Sequence, residues 1–184
     1  LPLSIGDGEL ADTAACVVPL PEIFSYYLQA GRVDVGFLGA AQIDRHGNLN
    51  STVIGPYATP STRLPGAGGA PEIAAHARQT FVMLKATPRS FVPRLDFRTS
   101  AGFLDGHRSR AHSGARGGGP RAVITDFGIL TPAAGSEELE LSALFEGATT
   151  DSARAAVGWP LVVAPTVTTL APPSNTELVT LRAL

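Results

Sequence analysis

Residues 31–55 read GRVDVGFLGAAQIDRHGNLNSTVIG, and this stretch decides the fold. Its first part, residues 33–43, is almost wholly apolar, which predicts a strand buried on both faces as in a parallel sheet. Residues 44–52 are rich in turn-forming residues, and residues 51–57 are typical of a second extended segment. The stretch therefore predicts a buried strand that leads through a turn into another extended segment.

Helices and strands alternate around this stretch. Residues 20–32 have a proline in the first turn and a glycine near the end, which predicts a helix with one apolar stripe. Residues 71–78 predict a second short helix, and residues 79–85 predict another apolar strand. This order predicts an α/β fold with an open, mostly parallel sheet flanked by helices. We expect residues 1–184 to form one domain.

The second half of the chain contains less regular patterns. Residues 98–120 are rich in Gly, Ser, Arg and His without any period, which predicts a long mobile loop or lid. Residues 121–130 and 138–147 predict a pair of strands. Residues 149–160 predict a capped helix, and residues 174–184 predict an amphipathic helix that opens with a capping box.

Composition narrows the classes of function. The 14 Lys and Arg residues nearly balance the 16 Asp and Glu residues, so we expect no nucleic-acid partner. The sequence has no apolar run long enough to predict a membrane span, and we expect a cytoplasmic protein. The single cysteine, Cys16, has apolar neighbours, which predicts a reduced thiol in the core. Because the chain starts at Leu1 without a methionine, we expect a missing N-terminal segment to precede it.

The glycine-rich segment RLPGAGGAPEIAAHAR, residues 63–78, precedes a predicted helix. Glycines at that place allow an anion or a carbonyl oxygen to approach unpaired backbone N–H groups. They are also what a tight turn with positive φ requires, and the sequence leaves both interpretations open. A P-loop is excluded because Gly69 is followed by Ala70 and Pro71 rather than by Lys and Ser or Thr. A dinucleotide fingerprint is excluded because Pro71 stands where its third glycine belongs.

Several polar side chains could reach this segment. Those that follow the first predicted strand are Gln42, Asp44, Asn48, Asn50 and Ser51. Ligands sit beyond the carboxyl ends of strands in open parallel sheets, which favours this position, although Asn48 is explained by the turn alone. Asn50 lies beyond the turn and is less easily explained in that way.

Other charged residues have simpler explanations. Glu22 and Glu72 each follow a proline in the first turn of a helix, where a carboxylate stabilises the helix dipole. The four histidines lack the spacing of metal ligands, so we expect no metal. Three arginines could bind a phosphate or could simply lie in a solvated loop. They are Arg108, Arg110 and Arg116.

Residues 31–55, followed by LPGAGGAPEIA at residues 64–74, resemble the β subunits of the class I coenzyme A transferases. In that family a GA-Q-D-x-x-G-N-x-N segment precedes a G-x-G-G-A loop. Residues 1–14 and 176–184 look most like the β subunits of actinobacterial hydrolases that open the last steroid rings as CoA thioesters, and glutaconate CoA-transferases are next. The resemblance implies a CoA-transferase-like fold. It also implies an α subunit, in a heterodimer or an α2β2 heterotetramer, with the acyl-CoA at the subunit interface.

The resemblance also implies roles for residues of this chain. The backbone amides of Gly68 and Gly69 would hold the oxyanion of the thioester. The residues implied to contact the substrate or CoA are Gly39, Ala40, Gln42, Asn50, Gly66, Ala67 and Ala70. Coenzyme A is then a substrate, and we expect no permanently bound cofactor.

One feature of the family is missing. Its transferases use a glutamate nucleophile in a Glu-x-Gly motif, and none of Glu9, Glu22 and Glu72 stands in such a motif. Either the motif lies before Leu1 or the α subunit supplies the carboxylate, so no nucleophile is assigned to this chain. The resemblance favours hydrolytic ring opening of a steroid-derived acyl-CoA. The alternatives are a true CoA transferase of the glutaconate or 3-oxoacid type and a non-catalytic subunit that completes its partner's CoA pocket.

Overall fold

The computed structural model describes residue 4 and residues 6–183. The helices are α1 Glu9–Asp12, α2 Leu20–Glu22 continued by a π-helical segment Ile23–Leu28, α3 Ala70–His76, α4 Ser109–His112, α5 Thr150–Ala156 and α6 Asn175–Ala183. The strands are β1 Val35–Leu38, β2 Gln42–Ile43, β3 Leu49–Asn50, β4 Val53–Ile54, β5 Thr62–Arg63, β6 Gln79–Met83, β7 Pro120–Ile124, β8 Gly128–Pro132, β9 Leu139–Phe145 and β10 Val162–Leu170. Among the described residues, every helix is too short or too polar to cross a bilayer.

The main sheet has six strands in the order β1-β6-β7-β8-β9-β10. The pairs β1–β6, β6–β7 and β9–β10 are parallel, whereas β8 runs antiparallel to both of its neighbours. The prediction of an open, mostly parallel sheet flanked by helices is therefore confirmed. The pair of strands predicted over 121–130 and 138–147 is in fact three strands, because the chain reverses between β7 and β8. The Thr125 hydroxyl closes that turn by donating to the carbonyl of Gly128 (2.8 Å).

The strand predicted over residues 33–43 is shorter than expected and is buried on one face only. β1 lies at the edge of the sheet, and its residues alternate between exposed and buried. Phe37 is 67% exposed and stacks on Phe81 of the next strand, with ring centroids 5.9 Å apart. The prediction is wrong because an apolar edge strand cannot be told from a central one by its sequence. After Leu38 the chain leaves the sheet, and β2 pairs with β3 in a separate hairpin.

Helix α3 packs closely on the buried face of β1. A Cβ atom at Gly36 would overlap the side chain of Ile73 and lie 3.4 Å from the Cβ of Ala77. The glycine therefore sets the distance between helix and strand. The predicted helix over 71–78 and the predicted strand over 79–85 are confirmed as α3 and β6.

Other expectations from the sequence have mixed outcomes. The helix predicted over 20–32 is present but becomes π-helical, and the capped helix predicted over 149–160 is α5, with a capping box between Thr149 and Ser152. Helix α6 opens with the predicted capping box, although no described residue of it is buried. Cys16 is exposed, so its assignment to the core is wrong. Strand β10 was not predicted.

Candidate functional site

The glycine loop (residues 66–70) lies at the carboxyl edge of the parallel strands. The N–H of Arg78, just after α3, donates to the carbonyl of Val33, just before β1 (3.0 Å), so α3 ends at the amino edge of that strand. Because α3 packs along β1, its other end and the loop lie at the opposite edge. Gly39 and Ala40 follow β1 at this same edge. Ligands of open α/β sheets bind at the carboxyl edge.

Both ends of the glycine loop are anchored. The N–H of Gly66 donates to the carbonyl of Ser51, and the Ser51 hydroxyl donates back to the carbonyl of Gly66, each at 2.9 Å. At the other end the N–H of Ala70 donates to the carbonyl of Ala67 (3.0 Å). Within the part of the chain that the structure describes, the N–H groups of residues 67–69 donate to no acceptor. Three consecutive amides are thus available to a ligand.

The glycines of the loop combine the two roles that the sequence left open. Gly66 (φ +103°) and Gly68 (φ +50°) have left-handed backbone conformations, which the turn requires. A Cβ at Gly68 would meet no atom within 4 Å, so this residue faces open space. A Cβ at Gly69 would lie only 3.1 Å from the ring of Phe24, which backs the loop from the π-helical segment. The loop therefore has a supported side and an open side.

Gln42 and Asn50 hold each other in a buried network. The Asn50 side chain donates to Oε1 of Gln42 and to the carbonyl of Val53, both at 2.7 Å. Its oxygen accepts the N–H groups of Thr52 and Val53. Nε2 of Gln42 donates to the carboxylate of Asp96 (2.9 Å). In this structure both amides bind the chain itself, and their direct contact with a ligand stays a prediction.

The turn of residues 44–48 is explained by its own hydrogen bonds. Asp44 accepts bonds from the N–H groups of His46 and Asn48 and from the Asn48 side chain. The Asn48 oxygen accepts the N–H groups of Gly102 and Leu104 at 2.9 and 3.0 Å. The sequence-based assignment of Asn48 to the turn is confirmed, and the turn also anchors the following loop.

The three candidate glutamates lie on three different helices: Glu9 on α1, Glu22 on α2 and Glu72 on α3. Glu72 is nearest to the glycine loop in the chain, and its carboxylate lies 3.3 Å from Nε2 of His76 and accepts a hydrogen bond from Gln29 (3.2 Å). Among the described residues, no three His, Cys, Asp or Glu side chains are grouped as a metal site would require.

Arg110 is a residue whose position the sequence did not reveal. It is only 4% exposed, and its guanidinium donates to five backbone carbonyls, those of Ala74, Ala75, Ala101, Gly102 and Gly117. Two of these carbonyls belong to the last turn of α3, where a cation stabilises the helix dipole. Burial lowers the pKa of the guanidinium, and the Glu137 carboxylate acts in the opposite direction.

Residues 98–120 contain helix α4 and are anchored to the rest of the fold. Arg110 joins both ends of the segment to the end of α3, and the Arg116 guanidinium donates to the carbonyl of Gln29 (3.1 Å). The mobility of this segment stays a prediction, and what the glycine-rich sequence did not show is that one of its arginines is buried.

Comparisons with known proteins bear on this site. A sequence profile described as "Coenzyme A transferase" matches residues 19–155. The β subunit of the 3-oxoadipate CoA-transferase of Pseudomonas knackmussii is 53% identical over 184 residues, which are 100% of this chain and 71% of the relative. The β subunit of the glutaconate CoA-transferase of Acidaminococcus fermentans is 35% identical over 178 residues, 94% of this chain and 66% of the relative. The crystal structure of that glutaconate coenzyme A-transferase superposes with a TM-score of 0.89 at 32% identity, covering 99% of this chain and 71% of that chain.

The resemblance to steroid ring-opening enzymes is weaker. The cholesterol ring-cleaving hydrolase IpdB subunit of Rhodococcus jostii is 33% identical over 112 residues, which are 55% of this chain and 44% of the relative. The particular likeness to that hydrolase, expected from residues 1–14 and 176–184, is therefore not supported over the whole chain. The comparisons favour the transferase alternative.

Proposed function

The chain belongs to the coenzyme A transferase family, and from that premise we propose that it is the β-type subunit of an enzyme that transfers coenzyme A between carboxylic acids. The observation that carries the proposal is the 53% identity, along the whole chain, to the β subunit of a 3-oxoadipate CoA-transferase. The two transferase relatives are named for 3-oxoadipate and glutaconate, which are both dicarboxylic acids. We therefore propose a dicarboxylic acid as the acyl group.

The glycine loop would act on the thioester. Gly68 and Gly69, with Ala67 beside them, have unpaired N–H groups next to open space at the carboxyl edge of the sheet. Backbone amides in such an arrangement stabilise the oxyanion that forms when a nucleophile attacks a thioester carbonyl. Gly39 and Ala40 would form the neighbouring wall of the pocket. Gln42 and Asn50 would keep that wall in place through their buried network.

A partner is part of the proposal. We propose that an α subunit completes the site in a heterodimer or an α2β2 heterotetramer, because each transferase relative is named as one subunit of its enzyme. A transferase forms a covalent thioester on a carboxylate, which splits the transfer into two easier steps. None of Glu9, Glu22 and Glu72 is assigned as that nucleophile. A non-catalytic role for this chain would require that the loop amides not affect turnover.

The experiment combines activity with trapping of the intermediate. The chain is produced with its α subunit, and transfer of CoA from an acyl-CoA donor to 3-oxoadipate is followed by chromatography. Intact-mass measurement of both subunits after incubation with acyl-CoA should reveal a glutamyl–CoA thioester adduct. Borohydride should then reduce that glutamyl carbonyl to a primary alcohol and release CoA as the free thiol, which marks the subunit that carries the nucleophile. Acyl-CoA turnover with no adduct and no transfer to an acceptor acid would favour the ring-opening hydrolase instead.

The role of the loop is tested by Gly68→Val. A bulky side chain there blocks the approach to the free amides, and loss of one oxyanion donor lowers turnover about a hundredfold or more. Gly135→Val is the matched control, because Gly135 also has a positive φ (+88°) and open space around its Cα. Equal turnover by the two variants would show that residues 66–70 are only a connection.

A further inference from the structure

The hairpin between β4 and β5 carries an exposed aromatic ring that contacts two neighbouring side chains. Tyr57, at the tip, is 57% exposed, and its ring stacks on Phe97 with centroids 5.4 Å apart and planes inclined by 27°. The guanidinium carbon of Arg63 lies 4.8 Å from the centroid of the Tyr57 ring. Nη2 of Arg63 also donates to the carbonyl of Tyr57 (3.0 Å). The Tyr57 ring therefore lies in contact with Phe97 and with the Arg63 guanidinium, while its side chain stays more than half exposed.

A groove adjoins these side chains. One pocket of about 440 Å³ is lined by Gly55, Pro56, Arg94, Leu95 and Asp96. A second pocket of about 400 Å³ shares Arg94, Leu95 and Asp96, and its other lining residues are Asp44, Pro93, Phe97 and Arg98. Because the two pockets share residues 94–96 and the first also includes Gly55 and Pro56 of the hairpin, we refer to them together as the groove. We call Tyr57, Arg63, Arg94 and Phe97 the aromatic–arginine platform.

The platform has positive charge available for an anion. Arg63 and Arg94 have no carboxylate partner within the residues that the structure describes, whereas Arg98 is paired with Asp105 at 3.1 Å. Two acidic residues line the groove. They are Asp44, whose carboxylate accepts the hydrogen bonds of the turn of residues 44–48, and Asp96. One oxygen of the Asp96 carboxylate already accepts the side chain of Gln42 (2.9 Å) and the N–H of Gly55 (3.1 Å). These bonds hold the groove wall and offset part of that negative charge.

We propose that the aromatic–arginine platform binds the adenine nucleotide end of the coenzyme A thioester. This inference rests on the proposed function. Purines stack on aromatic rings and on guanidinium planes, and free guanidinium groups bind phosphates. Coenzyme A carries its sulfur at the end of a long pantetheine arm, so the nucleotide and the thioester must be held at separate places.

The connection between the platform and the glycine loop suits such a ligand. Arg63 and Gly68 are five residues apart in the chain, so their Cα atoms can be separated by at most about 18 Å. The segment between them is tied to the connection between β3 and β4, because the N–H of Leu64 donates to the carbonyl of Thr52 (3.1 Å). The chain therefore keeps Arg63 of the platform within about 18 Å of the amides that would hold the thioester.

The inference gives Gln42 a positioning role. Its side chain joins Asn50, at the base of the hairpin, to Asp96 in the wall of the groove. Gln42 would affect CoA binding by fixing residues 94–97 and not by touching the nucleotide.

Direct binding tests the platform without any need for turnover. Adenosine 3′,5′-bisphosphate, which is the nucleotide part of coenzyme A, is titrated into the full chain in a calorimeter. Stacking on one ring contributes about 1–3 kcal/mol, so Tyr57→Ala should weaken binding roughly tenfold. Arg94→Ala should also weaken it, whereas Tyr57→Phe should bind like the wild type. Arg89→Ala is the control, because Arg89 is exposed in a loop outside the groove. Failure of the wild type to bind, or wild-type binding by both Tyr57→Ala and Arg94→Ala, would overturn the inference.

Kinetics separate this inference from the proposed function. In the complex with the α subunit, Tyr57→Ala should raise KM for acyl-CoA about tenfold with little change in kcat. The same variant should leave KM for acyl-pantetheine, which lacks the nucleotide, unchanged. Transfer activity with an unchanged KM for acyl-CoA would refute the platform and leave the function intact. Nucleotide binding that depends on Tyr57 in a protein without transfer activity would support the platform and refute the function.

Discussion

Replacing Arg110 by methionine tests the claim that one buried guanidinium holds the end of α3. Methionine retains an apolar stem but removes all five hydrogen bonds to backbone carbonyls. Two of these, to Ala74 (2.6 Å) and Gly102 (2.8 Å), lie in fully buried surroundings. A buried acceptor left without a donor costs about 1–3 kcal/mol. The two together predict a loss of about 2–6 kcal/mol in the free energy of unfolding.

The loss is measured by urea denaturation followed by circular dichroism. Arg110→Lys should be intermediate, because an ammonium group keeps the charge but cannot spread its donors over five carbonyls as the planar guanidinium does. Arg121→Met is the matched control, since Arg121 is exposed on β7 and makes no ion pair with a described residue. Hydrogen exchange of the α3 amides should accelerate in Arg110→Met and not in the control.

A small loss of stability in Arg110→Met would refute this role of Arg110. If Arg110→Met lost less than about 1 kcal/mol relative to wild type, the carbonyls would have found other donors. The anchoring of residues 98–120 would then not depend on Arg110.

Three further predictions concern stability. Gly36→Ala should lower the free energy of unfolding by about 1–3 kcal/mol, because its Cβ would overlap the side chain of Ile73. In a double-mutant cycle, adding Ile73→Ala should recover part of that loss. Asn50→Leu should lower the free energy of unfolding by about 2–4 kcal/mol, since it leaves buried partners unpaired, and a denaturation midpoint equal to wild type would contradict this. Hydrogen bonds from Ser174 lower the pKa of the exposed Glu177 carboxyl, so the start of α6 should loosen as the pH falls through that lowered pKa. The amide shift of Ser174 in an NMR titration reports the change. Ser174→Ala removes the hydroxyl bond but keeps the backbone bond, so it should reduce the lowering of the pKa without removing it.

Local signals predicted the regular elements well. The proline and glycine around residues 70–78, with the apolar run that follows, were sufficient to place α3 and β6. The capping box at Ser174 likewise marked the start of α6. These signals succeed because capping and strand propensity act between residues close in sequence. The glycine loop could be recognised for the same reason, since its positive φ values demand glycine wherever the loop lies.

Features that depend on contacts between residues far apart in the sequence could not be predicted. β10 was missed because its residues are mostly exposed and its main support is pairing with β9. Arg110 looked like a solvated residue because its five acceptors come from α3 and from two parts of the loop. The aromatic–arginine platform could not be predicted from the sequence either, since Tyr57 and Phe97 are 40 residues apart.

The sequence by itself determined the α/β class, the glycine loop and the family, because each depends on short motifs whose chemistry is local. Only the tertiary structure decided which strand is an edge, which arginine is buried and which amides remain free. Burial and pairing are properties of two or more segments brought together, and no single segment encodes them. A buried charge such as Arg110 is stable only when distant carbonyls converge on it, and that convergence exists only in the folded chain.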